Sequence, residues 1–175
     1  DRAYRMSFAH DKVRSPPGAE CAGQSLGYGN QIRSLNEELV SVQSQRRISM
    51  DRNVILTNKA PVPAGPYSQG IRAGDLIFVA GQIPLDPDSG EVVGEDIRAQ
   101  TAQALRNLEA ILDAAGSSLD RVVKTTVFLT DMANFQAMNS TYSQFFSASP
   151  PARSTVQVGP LARGSLIEVE AVALR

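Results

Sequence analysis

Apolar and polar residues alternate along the last stretch of the chain, Leu166-Ile167-Glu168-Val169-Glu170-Ala171-Val172-Ala173-Leu174. That period of two is the pattern of a half-buried strand, and it sets Glu168 and Glu170 on one face with Leu166, Val172 and Leu174. A different period governs 96–115. There Ile97, Thr101, Ala104, Leu105, Leu108, Ile111, Leu112 and Ala115 form one stripe, while Arg98, Arg106, Glu109 and Asp113 face away, with Gly116 as a left-handed stop. A second helix is expected over about 133–146, with Phe135, Met138, Tyr142, Phe145 and Phe146 on its buried side, ended by Pro150-Pro151.

Short β-type runs fill the remainder: 53–57, 68–72, 76–82, 122–129 and 154–158. Ala73-Gly74-Asp75 reads as a hairpin turn, and Pro87-Asp88-Ser89-Gly90 as another. The prolines of Lys59-Ala60-Pro61-Val62-Pro63-Ala64-Gly65-Pro66 forbid a ladder, so this stretch is a loop. The order β-β-β-α-β-α-β-β predicts an α+β fold, one sheet with two helices covering a single face. The other face is not wholly polar, which predicts that a second subunit covers it.

The chain changes character at Met50. Before it, Ser, Gln, Asn, Arg and Gly are scattered, and only Ile32, Leu35, Leu39 and Val42 recur with helical spacing. Residues 1–49 read as a disordered or non-native N-terminal extension, and 50–175 as the domain. The first residue is Asp1, so the true start is expected to be missing, and a start at Met50 fits the change of character. A transit peptide is disfavoured because Asp11, Glu20, Glu37 and Glu38 interrupt the basic residues. No apolar run approaches a membrane span, and without a convincing address the expected compartment is cytoplasmic.

Composition narrows the chemistry. Of the chain's 175 residues, only His10 is histidine and only Cys21 is cysteine, both before Met50. Within 51–175 this rules out a disulfide framework, a zinc site of His and Cys, and Ser-His-Asp or Cys-His nucleophilic catalysis. The same segment has ten basic side chains against thirteen acidic, a net −3, which lacks the electrostatic footprint of a nucleic-acid binder. Chemistry there has to use carboxylates, arginine, tyrosine, amides, hydroxyls or backbone.

Five residues are candidates on these grounds. Glu168 and Glu170 sit on an otherwise apolar strand, where carboxylates are costly unless paired, exposed or used. Arg153 follows Pro150-Pro151-Ala152 where a rigid loop enters a strand, a place from which a guanidinium can grip a carboxylate in two-pronged fashion. A structural ion pair between Arg153 and Glu168 or Glu170 explains the same residues without any ligand. Tyr67, at the stiff junction Gly65-Pro66-Tyr67, offers a hydroxyl or a ring wall, or simply packs. Asn139, inside a predicted helix where asparagine is unfavourable, either orients a neighbour or faces water.

Six blocks occur in order: Gly65-Pro66-Tyr67-Ser68-Gln69, Ala80-Gly81-Gln82-Ile83-Pro84, Val123-Lys124-Thr125-Thr126-Val127-Phe128, Asn139-Ser140-Thr141-Tyr142, Pro151-Ala152-Arg153-Ser154 and Ile167-Glu168-Val169-Glu170-Ala171. Together they closely resemble the reactive-intermediate deaminase family, RidA, also called YjgF, across 51–175 and none of 1–49. The resemblance implies a chorismate-mutase-like α+β domain, assembled as a homotrimer with sites in the clefts between subunits. It also implies hydrolysis of 2-imino acids, such as 2-iminobutanoate and 2-iminopropanoate, to 2-oxo acids and ammonia, with no metal and no organic cofactor.

By motif match, Arg153 would hold the substrate carboxylate and Glu168 would activate water. Tyr67 would line the pocket and Asn139 would help arrange it, while the backbone of Thr155 and of the Gly81 loop would contact substrate. The chain has Thr155 and Ala80 where several family members have cysteine and serine, which leaves pocket size and substrate preference open. Two other readings stand beside this one. One is a non-catalytic, small-anion-binding or chaperone-like trimer; the other is an RNA-directed ribonuclease or translation inhibitor, which the net charge disfavours.

Overall fold

The computed structural model describes residues 51–175. The extension over 1–49, the 32–42 helical pattern, His10 and Cys21 lie outside the described residues. Six strands, β1 (Arg52–Ile55), β2 (Gly70–Ala73), β3 (Leu76–Gln82), β4 (Val122–Leu129), β5 (Ala152–Gln157) and β6 (Ile167–Leu174), form one sheet in the order β1-β2-β3-β6-β4-β5. Every neighbouring pair is antiparallel except β4 and β5, which run parallel. The sheet is therefore mixed but mostly antiparallel, which suits the α+β reading.

Helices α1 (Ile97–Ala114) and α2 (Phe135–Phe145) pack on that sheet through a single apolar core. From α1 come Ile97, Ala104, Leu105, Leu108, Ile111 and Leu112, all buried, as the 3.6-residue stripe predicts. Asp96 caps the helix start by accepting from the backbone N–H of Arg98 and Ala99, and Gly116 leaves it with φ +75°. The strands supply Ile77, Val79, Val127, Leu129, Ile167, Val169, Ala171 and Ala173. Alternation in β6 is complete: Ile167, Val169, Ala171 and Ala173 face the helices, so Glu168, Glu170, Val172 and Leu174 face away.

Polar side chains inside this layer tie the loops down. Buried Gln69 accepts from the Thr57 N–H at 2.7 Å and donates to the carbonyls of Thr57, Ala60 and Pro61 at 2.9–3.1 Å. It thereby satisfies a proline-rich loop whose carbonyls have no strand to pair with. This is also why β1 ends at Ile55 rather than at Thr57. Gln100 accepts from the Leu166 N–H at 2.8 Å, fixing the entry to β6. Asn107 holds the segment after β3 through the Ile83 and Leu85 carbonyls. The outer face exposes Phe78, Leu76, Val156 and Leu174, an apolar surface on a sheet with nothing of this domain over it.

Candidate functional site

Arg153 is the second residue of β5, not a loop residue, and it stands opposite Thr125 of β4. Thr125 is in turn opposite Ala171 of β6. Directly paired residues point to the same side of a sheet. Arg153 therefore emerges on the helix face, beside α2. There its Nη2 donates to Asn139 Oδ1 at 2.7 Å, and its guanidinium lies over the Tyr142 ring, 4.5 Å from the centroid. Thr155, two residues on, shares that face and is half-buried. Arg153, Asn139 and Thr155 thus form one group.

The other group is on the far side. Glu168 pairs with Phe128 and Glu170 with Thr126, both on the outer face. The register consequently rules out the simple ion pair between Arg153 and either glutamate that the sequence left open. Glu168 lies against Gly81, and a β-bulge is the reason. Between Val79 and Gln82, β3 advances three residues while β6 advances two, from Ala171 to Val169. The extra residue pushes the backbone at Gly81 toward Glu168. A Cβ on Gly81 would meet Glu168 Cδ at 2.7 Å and Cγ at 3.0 Å, so glycine is what lets the carboxylate take this position. Burial, with Glu170 repelling it as well, holds Glu168 above the usual glutamate range.

Tyr67 and Gly81 line one groove of about 390 Å3, together with Gln69, Ile83, Asp86 and Arg163. Tyr67 is 54% exposed, and its hydroxyl accepts from the Ala64 N–H at 3.2 Å. A second hollow of about 310 Å3 on the outer face is lined by Ile71, Phe78, Lys124, Thr126, Glu170 and Val172, and by neither Arg153 nor Glu168. Among the described residues, no group of three or more His, Cys, Asp or Glu side chains is arranged to hold a metal ion. Nor is any helix among them long and apolar enough to cross a membrane.

The predicted site residues therefore fall into Arg153, Asn139 and Thr155 on the helix face and Glu168 beside Gly81 on the outer face, while Tyr67 shares its groove with Gly81 and not with Glu168. Sequence reasoning missed two contributors. Tyr142 was expected only as core, yet it lies under the guanidinium; Gln69 was only part of a motif, yet it sets the course of the loop that carries Tyr67. A glutamine three residues after a stretch with prolines at 61, 63 and 66 was the available signal for the second, since the carbonyls of such a stretch need donors that its prolines cannot supply.

Comparison with known proteins bears on the family and the fold. The model of the family described as Endoribonuclease L-PSP matches residues 57–175. A RutC family protein of Pyrococcus abyssi is 52% identical over 126 residues, 72% of this chain and 99% of its own length. The 2-iminobutanoate/2-iminopropanoate deaminase of Mus musculus is 46% identical over 127 residues, 73% of this chain and 94% of its own. The crystal structure of E. coli TdcF with bound serine superposes with a TM-score of 0.68 at 42% identity, over 70% of this chain and 98% of that one. On the family-model match and the relatives of about 50% identity, this chain belongs to the Endoribonuclease L-PSP family, the family also known as RidA or YjgF.

Proposed function

We propose that the chain is a cofactor-independent hydrolytic deaminase converting 2-imino acids, of the 2-iminobutanoate and 2-iminopropanoate class, to 2-oxo acids and ammonia. The observation that carries the reading is the pair of groups on opposite faces of one sheet. A cation set out by an amide and an aromatic ring suits a carboxylate, and a carboxylate held above its usual range suits proton transfer. One chain cannot bring the two together, so the site is complete only where Arg153 of one copy approaches Glu168 of another. That supports sites between subunits, and the homotrimer that the family resemblance implies would provide them. The exposed apolar outer face is consistent with such an assembly. The mouse relative's name points to the same reaction, and a structure of TdcF with an amino acid bound fits a carboxylate-gripping site.

In the reaction, Arg153 holds the substrate carboxylate by two parallel N–H···O bonds. Glu168 accepts a proton from water as its oxygen attacks the imine carbon. The C=N π pair moves to nitrogen, which takes up a proton, giving a carbinolamine. Glu168 supplies the proton that nitrogen gains, then takes the carbinolamine hydroxyl proton and passes it to nitrogen as the C=O forms and the C–N bond breaks. Ammonia leaves carrying both protons of the water, and Glu168 is ionised again. No covalent nucleophile is needed because the imine carbon is already electrophilic. Positioned acid–base groups give about a hundred- to ten-thousand-fold, adequate for an imine that hydrolyses unaided.

A coupled assay tests this. Threonine and threonine dehydratase generate 2-iminobutanoate, semicarbazide traps what survives, and the purified protein is added beside its Arg153→Ala variant. Loss of the semicarbazone with the intact arginine alone is the expected result. Equal semicarbazone with both proteins would favour a binding role without catalysis.

A further inference from the structure

Arg153 is carried on an edge strand, where a long side chain has many rotamers open to it. Three contacts restrict it. Its guanidinium carbon is 4.5 Å from the Tyr142 ring centroid and 5.8 Å from that of Phe135, and Asn139 accepts one of its N–H groups at 2.7 Å. The Tyr142 ring is itself fixed at both ends. Its hydroxyl shares a buried 2.8 Å hydrogen bond with Thr125 Oγ1, and its ring packs at a tilt against Phe146 with centroids 4.6 Å apart. Thr125 is also the residue directly opposite Arg153 in the ladder, so one residue anchors the ring beneath the arginine that pairs with it. Asn139 and Tyr142 are three apart on α2 and so present neighbouring side chains.

We propose that Tyr142 is a positioning residue for Arg153, its ring face supporting the guanidinium plane so that the remaining N–H edge faces a ligand carboxylate. The inference rests on the carboxylate-clamp reading above. An aromatic face attracts the cation without neutralising it and without occupying an in-plane N–H. Asn139 takes one of five donors and adds no charge. A carboxylate in their place would compete with the ligand for both charge and donors. The chain thus holds its arginine still and keeps it available.

Two substitutions separate the ring face from mere volume. Tyr142→Phe keeps the ring and loses the hydroxyl; Tyr142→Met fills the space with a flexible side chain that has no aromatic face. Binding of 2-oxobutanoate is measured by calorimetry, and imine turnover by the semicarbazide assay, on the full chain. Tyr142→Phe should bind within twofold of the unaltered protein. Tyr142→Met should bind about tenfold more weakly, raising KM while kcat stays within threefold, as loss of a desolvated cation–π contact used equally in ground and transition state would. Circular dichroism accompanies both variants. Independently of any variant's folding, the Arg153 side-chain N–H resonance of the unaltered protein should be shifted upfield by the ring, and a random-coil shift would overturn the proposal. Equal binding by Tyr142→Met and the unaltered protein would also overturn it, as would equal weakening by both variants. Failure of the unaltered protein both to bind 2-oxobutanoate and to hydrolyse the imine would instead remove the clamp reading, and this inference with it.

Discussion

The two faces of the sheet treat charge in opposite ways. On the helix face, Arg153 is surrounded by groups that favour a cation: the Tyr142 ring, the Phe135 ring and the Asn139 carbonyl. On the outer face, Glu168 is pressed against the Gly81 backbone with Glu170 two residues away, and both burial and like charge disfavour its ionised form. The cation is stabilised by what the fold places around it, whereas the carboxylate is kept uncomfortable. A holder of substrate benefits from constancy, and a group that must take up and return a proton benefits from a raised proton affinity. On the proposed mechanism, one protomer carries the binding half-site and the proton-transfer half-site on opposite faces of its sheet.

The sharpest way to break this contrast is to remove the binding half. Arg153→Ala is expected to abolish imine hydrolysis, a loss of about a hundredfold or more for a charge-assisted two-pronged contact, with far-ultraviolet circular dichroism unchanged. Next comes the proton-transfer half. Glu168→Gln should lower kcat by roughly a hundredfold or more while 2-oxobutanoate binding stays within about threefold. Equal loss of binding in both variants would mean the two faces do not divide the labour as described.

Gly81→Ala probes how the carboxylate is held. The new methyl meets Glu168 Cδ at 2.7 Å, so the carboxylate has to move. Turnover should fall by about tenfold, with binding affected less than by the arginine change, because a displaced proton-transfer group is costly even when intact. Tracking the acid limb sharpens the point further. The proposed mechanism requires ionised Glu168, and its proton affinity is raised, so the acid limb of kcat/KM should lie above the ordinary glutamate range. An acid limb within that range would show that burial does not govern the working carboxylate.

The smallest effect is on stability. A carboxyl whose folded pKa exceeds its unfolded value favours the folded state most below the unfolded pKa, and that contribution is lost as pH rises through the folded value. Glu168→Gln should therefore flatten the fall in stability across that window and leave the protein slightly more stable at neutral pH. Denaturant titrations at several pH values would reveal an unchanged slope if the reading were wrong.

Much of this architecture was legible in the residues. The stripe from Ile97 to Leu112 and the alternation from Ile167 to Leu174 each encode an element and its buried face, because a helix and a strand impose their own periods locally. Element ends were less legible: β5 begins at Ala152, two residues before the Ser154 expected, because its pairing partner is β4, a strand far away in the chain. The six motif blocks revealed the family and nominated Arg153, Glu168, Tyr67, Asn139, Thr155 and Gly81, yet they did not group them. Side-chain alternation gives each residue a face relative to its own strand only. Which faces of β5 and β6 coincide depends on the register each makes with β4, a long-range choice set by packing. The sequence by itself determined the elements, their buried faces and the chemical types available for the site. Only the tertiary structure decided that Arg153 and Glu168 stand on opposite sides of the sheet, that Tyr142 lies beneath the arginine, and that a bulge brings Gly81 against the glutamate. Those three facts are relations between segments remote in the chain, and pairing and packing alone create them.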